Sequence, residues 1–133
     1  MRSKKVPNAN LQKSAFAILF FASKFLPYIK FYENMFEEPS YKIKRLVVQP
    51  NSKLSLQYHY KRCEHWVVVS GHGKVILGED TLNAYPGKYF YIPTKVNHRI
   101  MAGADGLTII EVQVGEECTE EDIVRLEDDY NRI

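Results

Sequence analysis

From Tyr41 onward the apolar positions of this chain fall in short runs with every second residue polar, the period of a strand with one buried face. Runs rich in Val, Ile, Tyr and Phe predict strands over residues 41–49, 53–59, 63–70, 73–78, 88–92, 96–101 and 106–114. Turn residues separate them: Pro50-Asn51, Gly71-His72-Gly73, Gly78-Glu79-Asp80, Pro86-Gly87 and Gly103-Ala104-Asp105-Gly106. Strands in series without helices between them predict an all-β sandwich or barrel. Along the third strand Arg62, Glu64, Trp66 and Val68 share one parity and are expected to face a cavity, with Val67 and Val69 on the other side. His65 then faces away from Glu64, and His72 sits solvated in a turn.

The two ends break this pattern. Ala15-Phe-Ala-Ile-Leu-Phe-Phe-Ala22, extended through Phe25 and Leu26, predicts a short N-terminal helix that Pro27 ends. At the other end Thr119 is placed to cap a short C-terminal helix, with Glu120-Glu121-Asp122 in its first turn and Ile123, Val124 and Leu126 on its apolar side. Residues 31–39 are mixed and end in an acidic turn. The chain therefore divides into a basic, apolar extension, 1–26, and one domain, 27–133.

Charge and cysteine content narrow the setting. A formal net charge of +2 argues against a nucleic-acid partner. The basic residues of 1–30 and the acidic ones of 116–132 read as solvated ends of opposite sign. Cys63 and Cys118 form no Cys-x-x-Cys and read as free thiols of a reducing, cytoplasmic compartment. A basic start before an apolar run resembles a signal peptide, but no small-x-small cleavage site follows. The run is also short for a membrane span and Lys24 interrupts it, so no stable membrane insertion is expected. Residues 14–26 cannot all be buried on a small barrel. They are expected to pack across a homodimer interface centred on Phe16, Leu19 and Phe20.

The candidate chemistry lies in Gln57-Tyr-His59 and Glu64. Gln57 and His59 point to one face of a strand, and Glu64 opens the next strand and can fold back onto that face. Amide oxygen, imidazole and carboxylate make an N/O site for a divalent metal. His98, after the bend at Pro93, is the candidate for the remaining ligand. A carboxylate facing a barrel interior needs a cation, and a metal supplies one.

These residues resemble the paired motifs of the cupin superfamily. Asn51, Gln57, His59, Glu64 and Gly71 stand where the first cupin block has glycine, two histidines, glutamate and glycine. Gly87, Pro93, Lys95 and His98 stand where the second has glycine, proline, glycine and histidine. Within the superfamily, Gln57 before His59, the run Glu64-His-Trp-Val-Val-Val-Ser-Gly71, Ile110-Glu-Val-Gln113 and Glu121-Asp-Ile-Val-Arg-Leu-Glu-Asp-Asp-Tyr130 look like the type II mannose-6-phosphate isomerases. That domain is often the C-terminal half of a bifunctional isomerase and mannose-1-phosphate guanylyltransferase. The guanylyltransferase half, with its glycine-rich nucleotide loop, is absent from this sequence. The resemblance departs at Asn51, Tyr60, Lys61 and Lys95, and at Leu26-Pro-Tyr-Ile29.

The resemblance implies a single cupin barrel, a double-stranded β-helix of jelly-roll type, holding one divalent ion on Gln57, His59, Glu64 and His98. Zinc is the first choice, with manganese, cobalt or nickel as the others. The implied activity is interconversion of mannose 6-phosphate and fructose 6-phosphate. Arg62 would hold phosphate or developing oxyanion charge. Lys44, Lys61 and metal-bound water are the candidates for the base. Arg45, Arg99, Lys61 and Trp66 are candidate contacts to the sugar phosphate. Lys42 and Lys44 share one strand face and Arg45 the other, so one set alone can reach the pocket, and Lys42 reads as a surface cation. The other reading is a non-catalytic cupin module that binds a sugar phosphate or nucleotide sugar.

Overall fold

The computed structural model of the protein describes residues 31–129 and 131. The N-terminal helix and the dimer contacts expected of Phe16, Leu19 and Phe20 lie outside them. The described residues form one eight-stranded sheet. Its strands are β1 Phe31–Glu38, β2 Tyr41–Val48, β3 Leu56–Tyr58, β4 Arg62–Leu77, β5 Asp80–Ala84, β6 Tyr89–Ile92, β7 His98–Gly115 and β8 Val124–Glu127. Every pairing is antiparallel.

β4 and β7 pair along nearly their whole length and form the spine. Their outer stretch continues through β2 to β1 on one side and to β6 on the other. Their inner stretch continues through β3 to β8 and to β5. The two stretches meet at bulges between Val68 and Ser70 and between Gly71 and Gly73. A Cβ on Gly71, whose φ is +82°, would lie 2.1 Å from the Gly106 carbonyl oxygen, and one on Gly73 would lie 2.1 Å from that of Met101. The glycines expected to form turns at 71–73 and 103–106 are thus corners inside continuous strands, where two backbones approach too closely for a side chain at 71 and 73 and to within 3.0 Å of a built Cβ at 103 and 106.

The expected C-terminal helix is not formed. Residues 120–121 turn, and Val124–Glu127 become β8, with Gln57 opposite Arg125 and Tyr58 opposite Val124. The acidic first turn carries a local helical signal, but pairing with the otherwise open edge of β3 overrides it. β1 forms where the pattern is mixed, and β5 forms over Asp80–Ala84, of which Asp80 alone reads as turn.

Inward residues of β2, β7 and β4 align in rows. Lys42, Gln113 and Glu64 form one, and Lys44, Glu111 and Trp66 the next. Leu46, Ile109 and Val68 form the third, and Val48 faces Leu107 beyond it. Val75, Phe90, Ile92 and Ile100 belong to the same buried apolar core, Ile92 as the cross-strand partner of Glu64 and Phe90 as that of Trp66. Val67 and Val69 are exposed, as their parity requires.

Candidate metal centre and its cavity

His59 follows β3, Glu64 lies on β4 and His98 opens β7, and all three are buried. The His59 Nδ1 lies 2.6 Å from the Asp122 carbonyl oxygen, which only accepts, so Nδ1 carries a proton. Its Nε2 faces Glu64 Oε1 at 3.0 Å. His98 Nδ1 likewise donates to the Val96 carbonyl at 2.9 Å. That leaves His98 Nε2 buried without a hydrogen-bond partner, 3.7 Å from Glu64 Oε2. The candidate ligand atoms of the three residues lie within 4.8 Å of one another.

Such a set asks for a cation. Arg62 sets one cation against Glu64 Oε1 and lies 3.4 Å from His59 Nε2, and the unpartnered His98 Nε2 facing Glu64 Oε2 suits a second, a proton or a metal ion. The backbone carbonyls on the far nitrogens fix the tautomer in which Nε2 keeps its lone pair free for a ligand role. Burial, the largest influence, pushes the His98 pKa down and favours the neutral ligand form, against the pull of Glu64. Burial alone would raise Glu64, but the contact with His59 and the charges of His98, His59 and Arg62 outweigh it. The carboxyl is held well below its usual range. The His59–Glu64–His98 group fits a divalent ion, and its N/O chemistry suits zinc, manganese, cobalt or nickel without choosing among them.

A ring of polar residues continues from this centre. Arg62 Nε donates to Glu64 Oε1 at 3.1 Å, and Arg62 Nη1 to the Thr119 carbonyl at 2.7 Å. Trp66 Nε1 is shared between Glu64 Oε2 at 3.1 Å and Glu111 Oε2 at 3.0 Å. Gln113 Nε2 donates to Glu111 Oε1 at 2.6 Å. Burial first, and then the negative charge of Glu64, push the Glu111 carboxyl up to about 8. Lys44, buried on β2, pairs with Glu120 and lies 4.6 Å from the centre of the Tyr32 ring.

These groups line a cavity of about 90 Å³. Gln57, Glu64 and His98 form part of its wall, together with Lys44, Arg62 and Glu111. Glu120 and Ile123 also line it, from the segment between β7 and β8. That segment is strapped down by Asp122, whose carboxylate accepts from the backbone N–H of Tyr60 at 3.0 Å and of Lys61 at 2.9 Å.

The sequence candidates separate accordingly. Gln57 is the cross-strand neighbour of His98, and its side-chain oxygen accepts from Ser55 Oγ at 2.7 Å. Trp66 and Arg99 are on the cavity wall, with Arg99 tied to the Leu54 carbonyl and to Glu127. Arg45 is off it, on the opposite parity and 4.0 Å from Glu33. Lys61 is exposed, bonded to Glu117 and also outside the wall. Lys42 is buried rather than a surface cation, 3.2 Å from Glu37, because its parity is that of Lys44. The sequence pattern marks neither Glu111 nor Gln113 as a site residue, and Glu120 only as a helix-end acid. The signal for the first two was their parity with Leu107 and Ile109, which puts polar side chains on an otherwise apolar face.

A family model described as mannose-6-phosphate isomerase, C-terminal, matches residues 20–128. The chain belongs to this isomerase C-terminal family. Among its relatives, the xanthan biosynthesis protein XanB of Xanthomonas campestris pv. campestris is 46% identical over 69% of this chain and 20% of its own length. The alginate biosynthesis protein AlgA of Pseudomonas aeruginosa is 43% identical over 69% of this chain and 19% of its own. A putative mannose-1-phosphate guanylyltransferase of Vibrio cholerae is 45% identical over 66% and 19%. The chain thus spans about a fifth of the length of these relatives. Among solved structures, a double-stranded β-helix domain protein from Klebsiella pneumoniae superposes with a TM-score of 0.65 at 14% identity, over 74% of this chain and 85% of that one. A cupin-2 domain from Rhodospirillum rubrum gives 0.60 at 20% identity, over 68% and 66%. At these identities the likeness concerns the fold, and this isomerase-family domain has the cupin fold. No helix among its described residues is long and apolar enough to cross a membrane.

Proposed function

We propose that this domain is a metal-dependent aldose–ketose isomerase that interconverts mannose 6-phosphate and fructose 6-phosphate. One observation carries the reading. In a chain of the isomerase family, His59, Glu64 and His98 converge beside a cavity whose wall holds Glu64, His98 and the buried cations Lys44 and Arg62. A divalent ion held by His59, Glu64 and His98, with Gln57 beside them, supplies Lewis acidity toward the substrate oxygens.

The remaining work falls to the chain itself. Lys44 and Arg62 bind and orient the anionic sugar, with Arg62 close enough to Glu64 to stay fixed. Glu111 is the group that takes the proton from C2 of the sugar and returns it at C1. It lines the cavity, and burial pushes its carboxyl above the usual range, toward the pH at which it exchanges a proton readily. Trp66 and Gln113 hold that carboxyl in place. Ile123 helps exclude water. The homodimer belongs to the same proposal. Val67, Val69, Tyr89 and Tyr91 expose apolar surface on the outer face of β4 and β6, and light scattering at micromolar concentration reads the assembly directly.

The test is a coupled assay of purified protein loaded in turn with zinc, manganese, cobalt and nickel. Turnover of mannose 6-phosphate with at least one metal is expected. Mannose 6-phosphate left unchanged over hours with every metal overturns the isomerase reading. Saturable phosphosugar binding without conversion then identifies a binding module.

A further inference from the structure

The cavity is too small for the substrate just assigned to it. At about 90 Å³ it is well below the roughly 300 Å³ at which small-molecule sites begin. Part of its wall has to move, and the two parts of the segment between β7 and β8 are held differently. Asp122 is fixed to two backbone N–H groups of Tyr60 and Lys61 and, through its carbonyl, to His59. Thr119 and Glu120 are held instead by the side chains of Arg62 and Lys44. The Glu120 side chain is 50% exposed, whereas that of Lys44 is 5% exposed.

A buried ammonium cannot be left without an anion. Glu120 supplies one from a turn with solvent on its other side, and the adjacent Thr119 carbonyl supplies an acceptor to Arg62. Two neighbouring residues thus partner two of the three cations on the cavity wall, the third, Arg99, being tied to Leu54 and Glu127. A phosphate group offers the same two cations more charge and three acceptor oxygens.

We propose that the Glu120 carboxylate stands in for an anionic ligand, whose phosphate group takes its place on Lys44, and that of the Thr119 carbonyl on Arg62, as residues 119–120 swing off the cavity. The exchange is of one ion pair for another, so the buried cations are never exposed unpaired. Asp122 stays in place and keeps His59 oriented. That the anion is the phosphate of a hexose rests on the isomerase reading. The anion seat itself does not, and it is tested with inorganic phosphate.

Metal-free full-length protein, Glu120→Gln, and Glu120→Gln combined with Lys44→Met are titrated with inorganic phosphate. Binding is followed by calorimetry and by the fluorescence of Trp66, the one tryptophan of the chain, on the cavity wall. Glu120→Gln is expected to bind phosphate at least about tenfold tighter than wild type, and the added Lys44→Met to abolish the gain. In wild type, saturating phosphate is expected to speed amide hydrogen exchange at 119–121 and leave β4 and β7 unchanged. This readout needs no variant to fold. Equal phosphate affinity of wild type and Glu120→Gln, a gain that survives Lys44→Met, or unchanged exchange at 119–121 overturns the seat. If phosphate binds as expected but mannose 6-phosphate is not converted, the seat stands and the isomerase reading falls. If mannose 6-phosphate is converted while phosphate affinity ignores Glu120, the reverse holds.

Discussion

The barrel interior has two ends built on the same three strands and held together by different physics. At one end Leu46, Val48, Val68, Leu107 and Ile109 meet, and each gains stability from leaving water without needing a particular partner. One or two rows away, at the same parity, are Lys42, Lys44, Glu64, Trp66, Glu111 and Gln113. There the desolvation cost of each charge is offset only by a named neighbour, so the loss of one group strands another. The apolar end can be expected to tolerate changes that keep volume, whereas the polar end answers to charge and hydrogen-bond count. A strict alternation over four rows thus yields a fold and a site without a separate domain for either.

Substitutions at the two ends should differ in kind as well as in size. The largest effect is expected from Glu64→Ala or His59→Ala: no metal retained through gel filtration, and isomerase activity at background. Elemental analysis beside the coupled assay reads both. At the apolar end Ile109→Ala should cost about 2–5 kcal/mol of unfolding free energy in urea. Molecules that remain folded should still bind metal in full stoichiometry.

Glu111→Gln joins charge to stability. The folded carboxyl, raised to about 8, binds its proton more tightly than the unfolded chain, whose model value is 4.5. Wild-type stability should therefore fall as pH rises from about 4.5 to about 8 and level off above that. The glutamine variant should lack this fall and be the more stable of the two at pH 8, by an amount of order a few kcal/mol, with the gap closing toward pH 4.5. Urea midpoints of metal-free protein across that range provide the check. Arg62→Ala should keep the metal and raise KM for mannose 6-phosphate about tenfold or more, since its charged hydrogen bond is made to bound substrate. A fall in kcat with KM unchanged would move Arg62 from holding phosphate to steadying the enediolate.

The smallest effect concerns backbone alone. Lys95 and Asn51, where the cupin blocks have glycine, adopt φ of 63° and 56°. Lys95→Gly should stabilise by about 0.5–1 kcal/mol, less than the full left-handed penalty because glycine also frees the unfolded chain. Asn51→Gly should change less, as asparagine tolerates this region.

The alternation of Arg62, Glu64, Trp66 and Val68 was legible because one face is wet and the other dry, and register follows from that. His98 was legible from its place after Pro93. Other elements were hidden for identifiable reasons. Residues 120–127 carry an acidic turn and apolar residues spaced as on a helix, and only the distant edge of β3 decides for a strand. Glycines at 71, 73 and 106 read as turns because local sequence does not reveal that two backbones cross there. Lys42 looked solvated for want of Glu37 on the neighbouring strand, which neutralises it. Glu120 was visible only as a helix-end charge, and its pairing with Lys44 spans 76 positions of sequence.

The carbonyl that orients His59 belongs to Asp122, 63 positions further along the chain. A ribosome makes β1 to β7 before it makes that carbonyl. The nascent barrel can thus bury its apolar end while the His59 ring is still free to turn and the edge of β3 lies bare. On the proposed metal-binding reading, loading would wait until the segment carrying Asp122 is in place to orient His59. A transcript cut short before Asp122 would yield a protein with most of its sheet and a histidine that points nowhere in particular.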